Sequence, residues 1–362
     1  MKKVEDLQSE VISFLRFPLI VGVIFIHSSG IIFFKNSVKN ESVYCVYDFC
    51  VNLFSEVLGR LSVPLFFFFS GFLFFYKVKW DRLKYFNKIN NRIHSLLYPY
   101  LLFISLAILL FGLGQMLFPE FLSGNNTPIN EWSMFDLIQA YWAIEDSNIP
   151  FVGPLWFIRN LMVIVFFSPV VYLYVRYLKL LGVIALLFLW FCGYKEFSIP
   201  GTMATSFFIL GSWFSLNGTN FVFCCRQYRV LSYCVYLLFI VLDIITKDMH
   251  YNCYIHNLGI IGGMIAVVNL VSDGIKKYRW KQISTLTHAS FFIYAIHEPY
   301  YTQYRKILFK LFPMPDRGSS TEVYLVFMYF FSVISFIIVL FFLFRIMNLC
   351  FPKVTRILSG GR

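Results

Sequence analysis

An arginine and a histidine, Arg16 and His27, stand eleven positions apart in the first apolar stretch of the chain, which runs from Val11 to Gly30. Imidazole exchanges protons near neutral pH and can carry a group covalently. A guanidinium stays charged and can grip phosphate or carboxylate oxygens in pairs. Neither belongs in hydrocarbon. A central arginine costs roughly 2.5–3.5 kcal/mol to insert, so ionisable groups inside a span read first as functional. Over eleven helical residues the direction turns about 1100°, three turns plus some 20°, and the rise is roughly 16 Å. Both side chains therefore share one helix face at different depths. Later apolar stretches carry Arg60, Arg159 and the pair His297-Glu298.

The elements that must hold these residues are membrane helices. Hydrophobic residues make up 59% of the 362 and charged residues 14%, with 45 phenylalanines. Apolar runs of about 18 or more residues cannot all be buried in one soluble core. The expected fold is an all-α polytopic membrane protein with about ten spans, near 11–34, 57–76, 96–118, 152–175, 178–194, 200–216, 230–247, 255–273, 286–304 and 322–350. The first run is too long for a cleavable signal peptide and lacks a small-residue cleavage site. The expectation is one membrane domain over 1–362 with no appended soluble domain.

Loop charge orients these spans. Lys77, Lys79, Arg82, Lys84, Lys88 and Arg92 fill the second loop, and further basic clusters are Arg176/Lys179, Arg226/Arg229, Lys276/Lys277/Arg279/Lys281 and Lys353/Arg356/Arg362. All fall on one side if both termini are cytoplasmic, as the positive-inside rule requires. The loop near 119–151, with Glu120, Glu131, Asp136, Glu145 and Asp146 and no Lys or Arg, falls on the other. Arg305, Lys306, Lys310 and Arg317 run against the pattern. Arg16 then lies toward the cytoplasm, while His27, Arg60, Arg159 and His297/Glu298 share an outer level. Basic loops account for the net charge of +12, so no nucleic-acid partner is expected. The eight cysteines form no CxxC or Cys/His ligand set, and no metal is expected. Cys45 and Cys50 share an outer loop where a disulfide is open.

Several segments, taken in order, resemble the acyltransferase-3 family of integral membrane acyltransferases. They are the Arg-x10-His pair; Arg60-Leu-Ser-Val-Pro-Leu-Phe-Phe-Phe-Phe-Ser-Gly-Phe-Leu73; Asn91-Arg-Ile-His-Ser-Leu-Leu-Tyr-Pro99; Gly153-Pro-Leu-Trp-Phe-Ile-Arg-Asn160; and Phe292-Ile-Tyr-Ala-Ile-His297. The resemblance spans essentially the whole chain. It implies transfer of an acyl group, usually acetyl, from cytoplasmic acyl-CoA to a hydroxyl of a surface polysaccharide or lipid-linked glycan. It also implies a bacterial inner membrane, and it maps the family's essential Arg and His onto Arg16 and His27.

The residues fit such chemistry. His27 either takes the hydroxyl proton as general base or carries the acyl group. Arg16 suits a CoA phosphate, and Arg92 and Lys84 are further candidates on the cytoplasmic loop. Arg159 is a candidate for stabilising the oxyanion. Arg60, His297 and Glu298 are candidates for holding the acceptor. Each has a bland alternative: Arg16 and Arg60 can snorkel to headgroups, and His297/Glu298 can pair across helices. Ser70-Gly71 reads as a close helix contact rather than a nucleophile. Ser28 and Ser29 lack the carboxylate and elbow a serine nucleophile needs. Trp132, Tyr141 and Trp142 are either sugar platforms or an interfacial belt. The rival function is a transporter or flippase for a glycan or small metabolite, though internal repeats and paired broken helices are not evident.

Overall fold

The computed structural model describes residues 2–29, 45–77, 81–118, 127–144, 149–194, 199–315 and 319–361, and every regular element among them is helical. In chain order these are α1 (Lys2–Ile26), α2 (Cys45–Phe75), α3 (Leu83–Leu117), α4 (Met134–Trp142), α5 (Gly153–Phe166), α6 (Ser168–Phe191), α7 (Thr202–Leu216), α8 (Phe221–Gln227), α9 (Arg229–Ile245), α10 (Asn252–Tyr278), α11 (Ser284–Leu311), α12 (Ser319–Cys350) and α13 (Pro352–Leu358). A helix stands at each expected span. Six are long and apolar enough to cross a membrane, or seven when α7 and α8, bent by 100°, count as one broken span. Of the others, α5 is short, α9 has 17 residues and α11 is interrupted by polar residues.

Glycines decide how the helices meet. A Cβ on Gly71 of α2 would overlap the Phe208 carbonyl oxygen of α7, and one on Gly211 of α7 would overlap the Phe68 carbonyl oxygen of α2. Only hydrogen in place of a side chain lets two backbones approach so closely, which is how helices associate where lipid removes the hydrophobic drive. A second close approach joins α1 to α2. A Cβ on Gly59 would lie 2.9 Å from the Gly22 carbonyl oxygen. This crossing brings Arg60 to the end of α1 that carries Ile26.

Several boundaries differ from the sequence expectation. Helix α1 ends at Ile26, so His27 lies in a turn beyond it and not within a helix reaching 34; residues 30–44 lie outside the described part. Cys45 and Cys50 start α2 instead of occupying a loop, and all eight cysteines are free. The expected span 152–175 is broken at Phe167, and Pro169 stands in the first turn of the helix that follows, where its missing amide hydrogen costs nothing. Helix α6 runs through the short loop expected between 175 and 178 and is kinked just after it at Lys179, at φ 50° and ψ −136°. Helix α11 continues to Leu311, so Arg305, Lys306 and Lys310 are helical rather than loop residues. Lys79, Glu120, Glu145, Asp146, Arg317 and Arg362 lie outside the described residues.

Candidate functional site

The end of α1 is a built structure. The His27 amide still reaches the Val23 carbonyl at 3.4 Å, and the Ser28 amide turns back to the Phe25 carbonyl at 3.0 Å. Ser28 Oγ donates to the Phe25 carbonyl at 2.6 Å and Ser29 Oγ to the Ile26 carbonyl at 3.0 Å. The hydroxyls beside His27 thus satisfy the carbonyls a helix C-terminus leaves open. Ser55 of α2 donates to the same Phe25 carbonyl at 2.5 Å and meets Tyr329 Oη of α12 at 2.7 Å. Three helices therefore fix the turn, and His27 stands exposed on it.

Beside it stands His297 of α11, fully buried, with the two ring centroids 5.1 Å apart and the planes at 63°. A proline lacks an amide hydrogen and drives the residue before it out of the helical region. In Glu298-Pro299 this puts Glu298 at φ −107° and ψ 143°, and α11 breaks immediately after His297. His297 Nδ1 lies 2.6 Å from the Tyr294 carbonyl oxygen. A carbonyl only accepts, so Nδ1 carries the proton and Nε2 is left with its lone pair. Nε2 is buried without a hydrogen-bond partner among the described residues. An unmet acceptor of this kind calls for an explanation in function.

Two cavities lie along α1, one at Arg16 and Ile20 and the other at Ile26. The first, about 190 Å³, is lined by Arg16 and Ile20 of α1, Arg92 of α3, Phe157 of α5 and Tyr294 of α11. Its two guanidinia lie within electrostatic reach of each other. No carboxylate lines this cavity. Two unneutralised cations facing one space make an anion site. The second, about 610 Å³, is lined by Ile26, the residue before His27, with Glu56, Arg60, Trp156, Asp243 and His256 among its walls. Aromatic side chains separate the two. Phe157 packs on Phe67 at 4.4 Å and on Tyr294 at 6.0 Å between centroids, and Tyr294 Oη donates to the Pro154 carbonyl.

The other candidates are placed as follows. Lys84 is exposed and does not line the Arg16 cavity, whereas Arg92 does. A π-helical segment over Ile93–Leu97 follows Arg92, and another over Asn52–Leu58 precedes Arg60. Such segments re-aim side chains and recur at functional sites. Arg60 forks onto Glu56 Oε2 at 3.1 and 2.8 Å and lies within electrostatic reach of His27. Glu298 is half-buried, with its oxygens 3.5 Å from Thr302 Oγ1. Arg159 is buried and donates to the carbonyls of Trp142 and Ala143, at 3.4 Å for the latter. Trp142 ends α4 and Ala143 is its left-handed cap residue, so the cation also meets the negative end of the helix dipole. Tyr141 meets Ser105 Oγ at 2.6 Å, and Trp132 packs on Phe151 at 5.5 Å between centroids, which ties these aromatic side chains into the fold.

Two features escape the sequence reading. Tyr294 enters it only inside a motif, yet it lines the first cavity and its carbonyl sets the proton on His297. Asp243 and His256 pair at 2.7 Å in the second cavity. Their signal was an aspartate inside an apolar run. Among the described residues no group of three or more His, Cys, Asp or Glu could hold a metal ion. The acyltransferase-3 family model, described as an acyltransferase domain, matches residues 10–346. No curated protein and no solved structure matches the chain.

Proposed function

Since the chain belongs to the acyltransferase-3 family of membrane acyltransferases, we propose that it moves an acyl group, acetyl in the simplest case, from acyl-CoA to a hydroxyl of a surface polysaccharide or lipid-linked glycan. The observation that supports this reading most is the His27–His297 ring pair, with a cavity bearing two arginines farther along α1 and a wider polar cavity beginning at the neighbouring Ile26. One catalytic domain over 1–362, about ten spans with cytoplasmic termini, and a bacterial inner membrane complete the proposal.

Arg16 and Arg92 suit the phosphates of CoA, each charge-assisted contact contributing about 1.5–3 kcal/mol. A cavity of about 190 Å³ suits the narrow pantetheine arm, leaving the nucleotide at its mouth. The rise from Arg16 to His27, roughly 16 Å, matches the reach of such an extended arm. At its end the acceptor oxygen attacks the thioester carbonyl. A C–O bond forms, the C–S bond breaks, and the hydroxyl proton passes through imidazole to the departing sulfur, giving ester and CoA thiol. In the direct route His27 takes that proton. In the relayed route His27 first accepts the acyl group and releases it to the hydroxyl. His297 supports either: its Nε2 lone pair is fit to accept an N–H from His27, which leaves the other His27 nitrogen free to act.

Membranes bearing the wild-type or His27→Ala chain, given labelled acetyl-CoA and cell-surface glycan, test this by mass spectrometry of the glycan. Labelled ester with the wild type alone is expected. Equal acetylation by both forms sinks the role of His27, and movement of unmodified glycan without acyl transfer favours a transporter.

A further inference from the structure

The second cavity carries a polar arrangement that the transfer chemistry above does not use. On one wall His256 Nδ1 lies 2.7 Å from Asp243 Oδ2. Asn252 Nδ2 donates to Asp243 Oδ1 at 2.8 Å, to the Asp243 carbonyl at 3.0 Å and to Thr246 Oγ1 at 3.1 Å. With Asp243 as acceptor on both oxygens, His256 donates through Nδ1, and in the neutral ring Nε2 keeps a lone pair. The ring is thereby held in one tautomer and one orientation while it lines the cavity. A mere latch between α9 and α10 would need only the Asn252 contacts; the histidine adds an oriented acceptor. On another wall Arg60 is forked onto a single oxygen of Glu56, which leaves Glu56 Oε1 and further guanidinium hydrogens available. Trp156 supplies an apolar ring surface in the same cavity.

We infer that this cavity is the acceptor-binding site and that it selects a neutral pyranose, one hydroxyl of which donates to His256 Nε2. Donors and acceptors from α2, α9 and α10 around one cavity match the vicinal hydroxyls of a sugar, which both give and take hydrogen bonds. An indole face suits the C–H surface of the ring. Charge points to the class of sugar. The carboxylates Glu56 and Asp243 equal Arg60 and Lys247 in number in the lining, so, with the imidazoles of His250 and His256 set aside, these four side chains carry no net positive charge to favour a uronic or other acidic residue. A uronic residue would bring its carboxylate into a lining that already holds Glu56 and Asp243, and like charges brought together oppose binding. A site of about 610 Å³ is the usual size for a ligand of this kind.

The identity of the ligand as acceptor rests on the acyltransferase reading, but its binding does not require turnover. The test is therefore saturation-transfer NMR on the purified protein in nanodiscs, without acyl-CoA, using methyl glucoside, methyl galactoside, methyl N-acetylglucosaminide and methyl glucuronide. At least one neutral glycoside should receive saturation from the wild type and the glucuronide should not. His256→Gln and Glu56→Gln, on different walls, should each weaken that binding by about tenfold or more, with melting temperatures checked to exclude misfolding. No transfer to any neutral glycoside, preference for the glucuronide, or unaltered binding by both variants overturns the inference. Intact glycoside binding in a protein that transfers no acyl group would instead count against the acyltransferase reading alone.

Discussion

Replacing Gly71 with alanine should force α2 and α7 apart. The added Cβ would overlap the Phe208 carbonyl oxygen and lie 2.8 Å from its carbon, where ordinary contact begins at 3.4 Å. The obstacle is backbone, so no side chain can swing aside, and the helices must separate by more than about half an ångström. Overpacking of this kind costs about 1–3 kcal/mol, and a rigid backbone obstacle places it toward the upper end. Gly262→Ala in α10 is the control. Its Cβ would meet only Val235 Cγ1, at 3.7 Å, and helix propensity favours alanine by about 1 kcal/mol. Thermal unfolding of purified protein in detergent should show Gly71→Ala lowered by several degrees and Gly262→Ala unchanged or raised. Gly211→Ala should resemble Gly71→Ala. The double variant should lose less than the two losses combined, because one separation relieves both clashes. Since Phe66, Phe69 and Leu73 of α2 line the Arg16 cavity, the acyl-CoA KM should rise as well. A Gly71→Ala protein that melts with the wild type, or a double variant with fully additive losses, would refute this account of the packing.

Other substitutions separate the site residues by role. Arg92→Ala should raise the acyl-CoA KM about tenfold, as Arg16→Lys should by losing the bidentate grip, while Lys84→Ala leaves it unchanged in steady-state assays. Arg159→Ala should destabilise the protein by about 2–3 kcal/mol in a melting assay, because it strips two α4 carbonyls of their donor. Its effect on acyl-CoA KM should stay small; a folded, fully stable variant with kcat abolished would restore an oxyanion role. His297→Gln should cut kcat by about a hundredfold or more with acyl-CoA KM little changed, a split that a loss of packing alone would not produce.

Much of this architecture was legible as apolar runs, because a membrane demands helices wherever about 18 apolar residues follow one another. The common depth of His27 and His297 followed from loop charge alone. What the runs could not show is contact. Ser70-Gly71 reads as a close helix contact and is one, but Gly22, Gly59 and Gly211 set the crossings as well, and a glycine reads the same in sequence whether or not a backbone presses on it. Depth likewise could not distinguish Arg159, whose guanidinium turns to the carbonyls ending α4, from Arg60, which faces the second cavity. The end of α1 at Ile26 does not show in the sequence because the apolar run continues past it, and the hydroxyls of Ser28, Ser29 and Ser55 meet its last carbonyls. His256 and Asp243 do not read as a pair in the sequence because they stand thirteen positions apart across a turn, and only the fold closes that gap.

The central claim is that acyl-CoA enters from the Arg16 end and delivers its thioester to the histidine pair. The most direct measurement is a cryo-electron-microscopy structure with a non-transferable thioether analogue of acetyl-CoA. The account predicts phosphate density on Arg16 and Arg92, the pantetheine arm passing Phe157 and Tyr294, and the acyl carbon beside His27 and His297. An analogue seated in the cavity of Trp156 and His256, or with its acyl end remote from both histidines, would contradict it.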